Sequence, residues 1–331
     1  MKPSRKELLR CLAWEPLLAF SRASRLRGCV VSLMYHEVLP DSDPIEAWTA
    51  VRESAFRAQM RYMKDKFEIV SPDLALERMH DPARNGHPLA LITFDDGYRG
   101  NRQVVWPIIE ELGVPITIFV STAAVQNQSP YWYDRVIAAL FTDRAMEIDL
   151  RRCGLRSYRI PDPRRGEARW TRIQQVLADL KCLLPADREN CVEELLHQSS
   201  STRPAREPLK PLSIGDIQAM APAEHITFGA HTHGHENLTQ LAHEKVRETV
   251  LRSKTLLELW SGKAVRHFSY PFGEFNPAVA EIVQDCGFAS SQATTSGFWR
   301  KDDSEYAIPR LGIGRFDSLG SFKARVSGLA F

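Results

Sequence analysis

No apolar run in this 331-residue chain approaches the ~18 residues that a membrane-spanning helix needs. Paired cysteine motifs are also missing. Cys11, Cys29, Cys153, Cys182, Cys191 and Cys286 are scattered, with no CxxC and no zinc-ribbon spacing. In a chain this long they read as reduced, mostly buried thiols, the usage of a cytosolic protein. Charge of one sign is lacking too: the net charge of +2 argues against a nucleic-acid partner. There is no internal repeat, and low complexity is confined to Ser199-Ser200-Ser201. What is present is ordinary for a globular protein: 44% hydrophobic and 25% charged residues. The length suits one large α/β domain or two smaller ones.

The charge is uneven. Residues 1–28 carry Lys2, Arg5, Lys6, Arg10, Arg22, Arg25 and Arg27 against Glu7 and Glu15, a net +5, so the remainder nets −3. Met1 to Lys6 resembles the start of a signal peptide. Glu7, Arg10, Glu15 and Pro16 break the stretch that follows, so no cleaved leader is expected. Residues 1–28 are expected to form an amphipathic helix packed on the body. A basic helix touching an anionic membrane surface is the alternative. The expected location is cytoplasmic, or the inner membrane surface if that alternative holds.

Strand-like and helix-like segments alternate over much of the chain. Strands are expected at Cys29–Tyr35, Glu68–Val70, Leu89–Phe94 and Ile116–Ser121. Helices are expected at Ser54–Lys66 with Ser54 as N-cap, at 72–79, and at 101–112 ending on Gly113. Residues ~140–212 show almost no strand pattern. Trp170–Leu184 and Ala186–Gln198 have helical spacing there, and Ser199–Pro211 is rich in Ser, Pro and Arg. This stretch is expected to be a helical insertion with a flexible exit. The alternation resumes with helices at 213–220, 242–260, 276–286 and 318–328, and strands at 225–230, 265–270, 288–293 and 307–313. Such alternation predicts a parallel sheet, open or closed.

Two segments carry the chemistry. Thr93-Phe94-Asp95-Asp96-Gly97 sets two carboxylates at the end of an apolar strand, where α/β folds gather functional groups. Asp-Asp-Gly alone would read more readily as a pair of solvated turn residues or a helix N-cap. His231-Thr232-His233-Gly234-His235 follows another strand. His231 and His235 lie four apart, which on a helical turn puts both on one face, with Thr232 as a possible cap and His233 facing away. One carboxylate plus two imidazoles is a hydrolytic zinc set with a position open for water, and the second carboxylate is free to act as a base. Tyr270-Pro271-Phe272-Gly273 is a turn that could aim a backbone N–H at an oxyanion. His36, at the end of the first strand, is a candidate general acid for a leaving amine. Trp132, Tyr133 and Trp299 are candidates for stacking on a sugar, although core packing is the favoured reading.

These residues resemble a known family, the metal-dependent polysaccharide deacetylases with the NodB-homology domain (carbohydrate esterase family four), especially the branch linked to exopolysaccharide and capsule biosynthesis. The motifs are Leu33-Met34-Tyr35-His36, Thr93 to Tyr98, Tyr131-Trp132-Tyr133-Asp134, His231 to His235, Phe268 to Gly273 and Pro309-Arg310. The resemblance runs from Val30 to about Gly328. It implies a distorted (β/α) barrel over residues 29–331, with the helical insertion at about 140–212. It implies Asp95 as general base, Asp96, His231 and His235 as ligands of a divalent metal with zinc as the default, and the Phe272 N–H as an oxyanion donor. The family often has an arginine two residues before the proline of its third motif. Ser269 stands there, and Arg310 is the candidate substitute. A late Leu-x-His motif is replaced by Leu311-Gly312-Ile313, which leaves His36 as the candidate acid.

The resemblance thus implies a hydrolase acting on a carbon–nitrogen bond, releasing acetyl from an N-acetylated sugar of a glycan or glycan precursor. The alternatives are a deacylase of a small amide or O-acetyl ester, and a non-catalytic relative that binds metal or glycan.

Overall fold

The computed structural model describes residues 5–43, 47, 49–79, 88–142, 144–199 and 209–329, with side chains from Trp14 onward. The chain divides into two compact units. Unit 1 holds residues 1–42, 48–128 and 211–331, and unit 2 holds 43–47 and 129–210.

Unit 1 opens with helix α1 (Arg5–Arg25) and strands β1 (Cys29–Tyr35), β2 (Glu37–Leu39) and β3 (Ala50–Arg52). Helix α2 (Glu53–Lys66), strand β4 (Glu68–Ile69), helix α3 (Pro72–Met79) and strand β5 (Leu89–Phe94) follow. A five-residue π turn, Asn101–Val105, leads into helix α4 (Trp106–Leu112). Pro107 has no N–H to give the carbonyl one turn back, which favours this widened turn. Gly113 ends α4 at φ +61, its N–H closing on Glu110 and Ile109. Strand β6 (Ile116–Val120) and helix α5 (Thr122–Asn127) complete this half. Ser54 is not the cap of α2: Arg52 holds that position, and the Ser54 hydroxyl and N–H both donate to Asp41 Oδ1.

Unit 2 contains helix α6 (Trp132–Leu140), strands β7 (Met146–Asp149) and β8 (Ser157–Ile160), and helices α7 (Gly166–Lys181) and α8 (Pro185–Ser199). The expectation of a nearly strand-free stretch is corrected here, because β7 and β8 form an antiparallel hairpin. Ile148, Tyr158 and Ile160 are buried while Glu147 and Arg159 alternate with them toward solvent. The hairpin and helices share a core that includes Trp170, Ile173, Val192 and Leu195. Most of the Ser/Pro/Arg-rich segment at 199–211 lies outside the described residues.

Unit 1 resumes with helix α9 (Ile214–Met220), strand β9 (Ile226–Ala230), helix α10 (His243–Ser261) and strand β10 (His267–Ser269). Helix α11 (Pro277–Asp285), strands β11 (Ser290–Gln292), β12 (Trp299–Arg300) and β13 (Leu311–Gly312), and helix α12 (Leu319–Val326) follow. Ser213 and Asp216 cap α9 reciprocally, Ser213 N–H giving 2.8 Å to Asp216 Oδ2 and Asp216 N–H giving 3.1 Å to Ser213 Oγ. The return is anchored firmly. Leu212 N–H donates to Gly97 O at 2.8 Å, Gln128 Nε2 donates to Leu212 O at 2.9 Å, and Tyr98 pairs with Pro211.

The main sheet has nine strands, in the order β11-β10-β9-β6-β5-β1-β12, with β4 also on β5 and β13 also on β1. All pairs are parallel except β1 with β12. The sheet curls back on itself: Ile308 bridges Gln292 of β11, and three residues later Leu311 pairs with Leu33 of β1. The result is a distorted (β/α) barrel. Its strands are buried on both faces, β5 and β6 along their whole length. Among the described residues, no helix is long and apolar enough to cross a membrane.

A buried carboxylate sets the junction after β1. Glu37 accepts from Val38 N at 2.7 Å and Gly100 N at 3.2 Å, and Asn101 Nδ2 donates to His36 O at 3.0 Å. A Cβ on Gly100 would lie 1.8 Å from Glu37 Oε1 and 2.4 Å from Val38 O. Gly100→Ala is therefore expected to destabilise unit 1 by about 2–3 kcal/mol, as overpacking does. Gly166→Ala, with open space at the start of α7, is expected to be neutral or stabilising. Urea unfolding of both variants checks the contrast.

Candidate active site

The site lies at the carboxyl ends of the central strands. Asp95 N–H donates to Tyr35 O at 2.9 Å, which continues the β1–β5 pairing by one residue. Asp96 (φ +71) and Gly97 (φ +67) then turn the chain through the left-handed region. On an extended chain, neighbouring side chains point to opposite faces. The left-handed turn overrides this, and both carboxyl groups end up buried.

His231 continues β9, its N–H bonded to Val120 O at 3.1 Å. The helical turn expected for His231 to His235 is absent. The segment is a loop in which Thr232 (φ +61) and His235 (φ +56) are left-handed. It is pinned to the start of α5: Thr122 N and Ala123 N donate to Thr232 O and His233 O, and Ser121 Oγ donates to His231 O at 2.6 Å. Thr232 Oγ1 accepts from Glu236 N at 3.3 Å. His233 turns away to Thr122 Oγ1 at 2.9 Å, as its spacing predicted.

The loop brings two imidazoles onto one carboxylate. His231 Nε2 and His235 Nε2 lie 3.4 Å and 3.2 Å from Asp96 Oδ1. The three ligand atoms fall within 4.8 Å of one another, and all three residues are buried. His231 Nδ1 sits 2.7 Å from Ser269 O. A carbonyl can only accept, so Nδ1 carries a proton; once the ring is neutral, Nε2 is left with its lone pair, the tautomer a metal ligand needs. Burial alone would raise the Asp96 carboxyl. The charge of His235 and hydrogen bonds from both histidines outweigh it and hold Asp96 well below the usual range. Burial disfavours the charged His231, but Asp96 and Asp95 more than compensate and raise it. Donor types and spacing fit a divalent ion.

Asp95 faces a different partner. Arg310, fully buried, grips it through two bonds of 2.7 Å, Nη1 to Oδ1 and Nη2 to Oδ2. The other three donors of the guanidinium are also used: Nε gives to Ala293 O at 2.8 Å, Nη1 to Thr93 Oγ1 at 3.1 Å, and Nη2 to Ser269 Oγ at 3.0 Å. Ser269 Oγ in turn donates to Asp95 Oδ2 at 3.3 Å. Burial opposes ionisation of Asp95, but Arg310 and His231 outweigh it and lower its pKa. Ser269, where an arginine was absent, thus shares its carboxylate with Arg310, the residue before β13. Thr93 and Ala293 were missed as parts of this network. Thr93 stands in the quoted motif, whereas Ala293 contributes only its backbone and leaves no mark in the sequence.

His36 is half-buried. Burial lowers its pKa against the opposing pull of Asp96 and Asp95, with Arg310 and His231 as further charged neighbours. Phe272 is left-handed (φ +59), and its ring meets the His235 ring edge-on at 4.6 Å. Trp299 is 1% exposed, in a satellite core with Val30, Leu89 and Ile308. It packs in the core, the favoured of its two readings, and is not free to stack on a sugar. Trp132 and Tyr133 are half-buried in unit 2. Trp132 lies under Arg188, and Tyr133 stacks on Tyr131 at 5.2 Å.

Comparison with known proteins agrees with this geometry. The family model described as polysaccharide deacetylase matches residues 83–153 and 213–291. Among curated proteins, the putative polysaccharide deacetylase YxkH of Bacillus subtilis (strain 168) is 29% identical over 89 residues, 27% of this chain. The match spans 30% of that relative's length. Among solved structures, the Streptococcus pyogenes deacetylase PplD in complex with acetate aligns with a TM-score of 0.59 at 16% identity, over 90% of this chain and 98% of that one. IcaB from Ammonifex degensii aligns with a TM-score of 0.58 at 18% identity, over 91% of this chain and 96% of that one. At such identities the two structures show the shared fold.

The Arg310–Asp95 pair has a testable consequence for stability. Arg310→Met leaves a buried carboxylate unpaired and is expected to cost about 3–5 kcal/mol at neutral pH. In the wild type the Asp95 pKa is lowered, so the pair's contribution is present above the unfolded value near 3.9 and is lost as pH falls through the folded value. In the variant burial is opposed only by the neighbouring histidines, so the Asp95 pKa lies above its wild-type value and acid relieves the strain. The stability difference should therefore shrink as pH drops below 4. Denaturant unfolding of both proteins in chelator, across pH, measures it.

Proposed function

The chain belongs to the polysaccharide deacetylase family, and from that premise we propose that it hydrolyses the N-acetyl group of a sugar in a glycan or glycan precursor. The observation that carries this reading is the division of labour between adjacent carboxylates. Asp96 faces two imidazoles and Asp95 faces an arginine.

Asp96, His231 and His235 would hold a divalent ion, with zinc as the default. When bound, the ion supplies Lewis acidity that acidifies water and polarises the acetyl carbonyl. Asp95, kept ionised and fixed in orientation by Arg310 and Ser269, takes the proton of the attacking water. As water oxygen bonds to the carbonyl carbon, negative charge grows on the acetyl oxygen, and the Phe272 N–H donates to it. The carbon–nitrogen bond then breaks, and His36 delivers a proton to the departing amine. Burial lowers the His36 pKa, and a lower pKa makes its imidazolium the stronger acid. The products are acetate and a free amino sugar. The five satisfied donors of Arg310 favour a catalytic site over a binding-only relative, because they orient a carboxylate that metal binding alone does not require.

Asp95→Asn is expected to retain metal and lose acetate release by at least about a thousandfold, the upper part of the range for general-base removal. His235→Ala is expected to lose the metal, where the wild type carries about one divalent ion per chain. Elemental analysis beside an acetate assay on acetylated oligosaccharides reads both. An O-acetyl or small-amide panel run in parallel would reassign the substrate if only those compounds were turned over.

A further inference from the structure

Helix α1 is longer than the layer it packs on. Its last turns are fixed to the end of α12. Ser21 Oγ donates to Ser327 O at 2.7 Å, Arg22 Nη1 to Ser327 Oγ at 3.1 Å, and Arg25 Nη1 to Gly328 O at 2.7 Å. Earlier along both helices, Lys323 Nζ meets Glu15 Oε1 at 3.4 Å. The two helices therefore run the same way, from the rim that carries the site down to the base where β1 begins at Cys29. Twenty-one helical residues rise about 31 Å. The seven residues of β1 rise about 23 Å. The first turns of α1 accordingly reach past the rim, on the side where Asp95 and Asp96 leave β5.

The outward face of α1 exposes apolar side chains. Trp14 is 54% exposed, Leu17 48% and Phe20 71%, while Leu18, Ser21 and Arg22 of the same helix are buried against the body. At the start of α12, on the same rim, Phe316 is 65% and Leu319 39% exposed. Ahead of Trp14 the sequence carries Lys2, Arg5, Lys6 and Arg10 against Glu7 alone. Aromatic and aliphatic groups beside a cluster of cations are the composition of a helix that lies in a lipid headgroup layer. A second copy of this chain would set one basic segment against another, whereas an anionic lipid surface complements both properties.

We propose that unit 1 docks on an anionic lipid surface through the outward face of α1, with the start of α12 beside it. The substrate class is then glycan presented at a membrane. This last clause rests on the deacetylase reading, whereas the docking does not.

The test is cosedimentation of the full chain with phosphatidylcholine vesicles, with and without phosphatidylglycerol. The wild type is expected to pellet with the anionic vesicles, not with the neutral ones, and to be released by salt. Trp14→Ser with Phe20→Ser should lower binding by about tenfold or more, through lost apolar insertion. Lys6→Glu with Arg10→Glu should do the same through charge, and it keeps every apolar side chain of α1 should the first variant fold poorly. Pelleting that ignores lipid charge, or that survives both double variants, would overturn the proposal. So would a dimer in light scattering that Trp14→Ser/Phe20→Ser dissociates, which would assign the face to a second copy. Acetate release from a soluble oligosaccharide should be equal in all three proteins. Its absence from all three, with pelleting intact, would refute the catalytic reading and leave the docking standing.

Discussion

The buried contact between Arg310 and Asp95 joins the fold to the chemistry. A desolvated ion pair is stable only when its remaining donors and acceptors are also satisfied. Here the guanidinium reaches groups after or within three strands: Thr93 and Asp95 with β5, Ser269 on β10 and Ala293 beyond β11. Arg310 also stands at the seam where the sheet curls back from β11 to β1. Closure of the barrel and orientation of the candidate base are thus one interaction. A register slip at the seam would move the guanidinium off the carboxylate and leave both charges buried without partners.

Backbone conformation supplies the second constraint. Among the described residues, Asp96, Gln128, Thr232, His235 and Phe272 are the non-glycine residues with positive φ. All but Gln128 belong to the site. Left-handed backbone is unfavourable for such side chains, most of all for a β-branched threonine. The surrounding hydrogen bonds hold it in place: α5 grips the histidine loop and β10 fixes the His231 ring. The geometry of the candidate metal site therefore depends on contacts made by atoms outside the ligand set.

The parallel alternation was legible because its strands are apolar on both faces and its helices are periodic. Two segments were not. Met146–Asp149 and Ser157–Ile160 alternate charged and apolar residues over four positions each, too short for composition to signal a strand, yet Ile148, Tyr158 and Ile160 fill one face. In the site, the residue types of Asp96, His231 and His235 pointed to a metal set by themselves. The expected reason for the His231–His235 spacing was wrong, however: two left-handed residues, not a helical turn, bring the rings together. Arg310 could be named as a substitute for the arginine absent at Ser269. Nothing local to Pro309-Arg310 reveals that it reaches Asp95, because that contact spans 215 positions of chain and exists only once the sheet has curled.

The anchoring of Leu212 has a consequence for how such proteins diversify. Unit 2 leaves unit 1 after Gln128 and returns at Pro211, and the two ends are held together by the Gln128–Leu212 bond, with Leu212 also bonded to Gly97. From the standpoint of the barrel, more than eighty residues of chain occupy the place of one tight surface loop. Closing a longer loop costs only slightly more entropy than closing a shorter one. That junction is a socket, able to accept modules of different size and chemistry without disturbing the strands on either side. Because the socket is bonded to Gly97, one residue beyond Asp96, its two ends are tied to the turn that carries a candidate metal ligand.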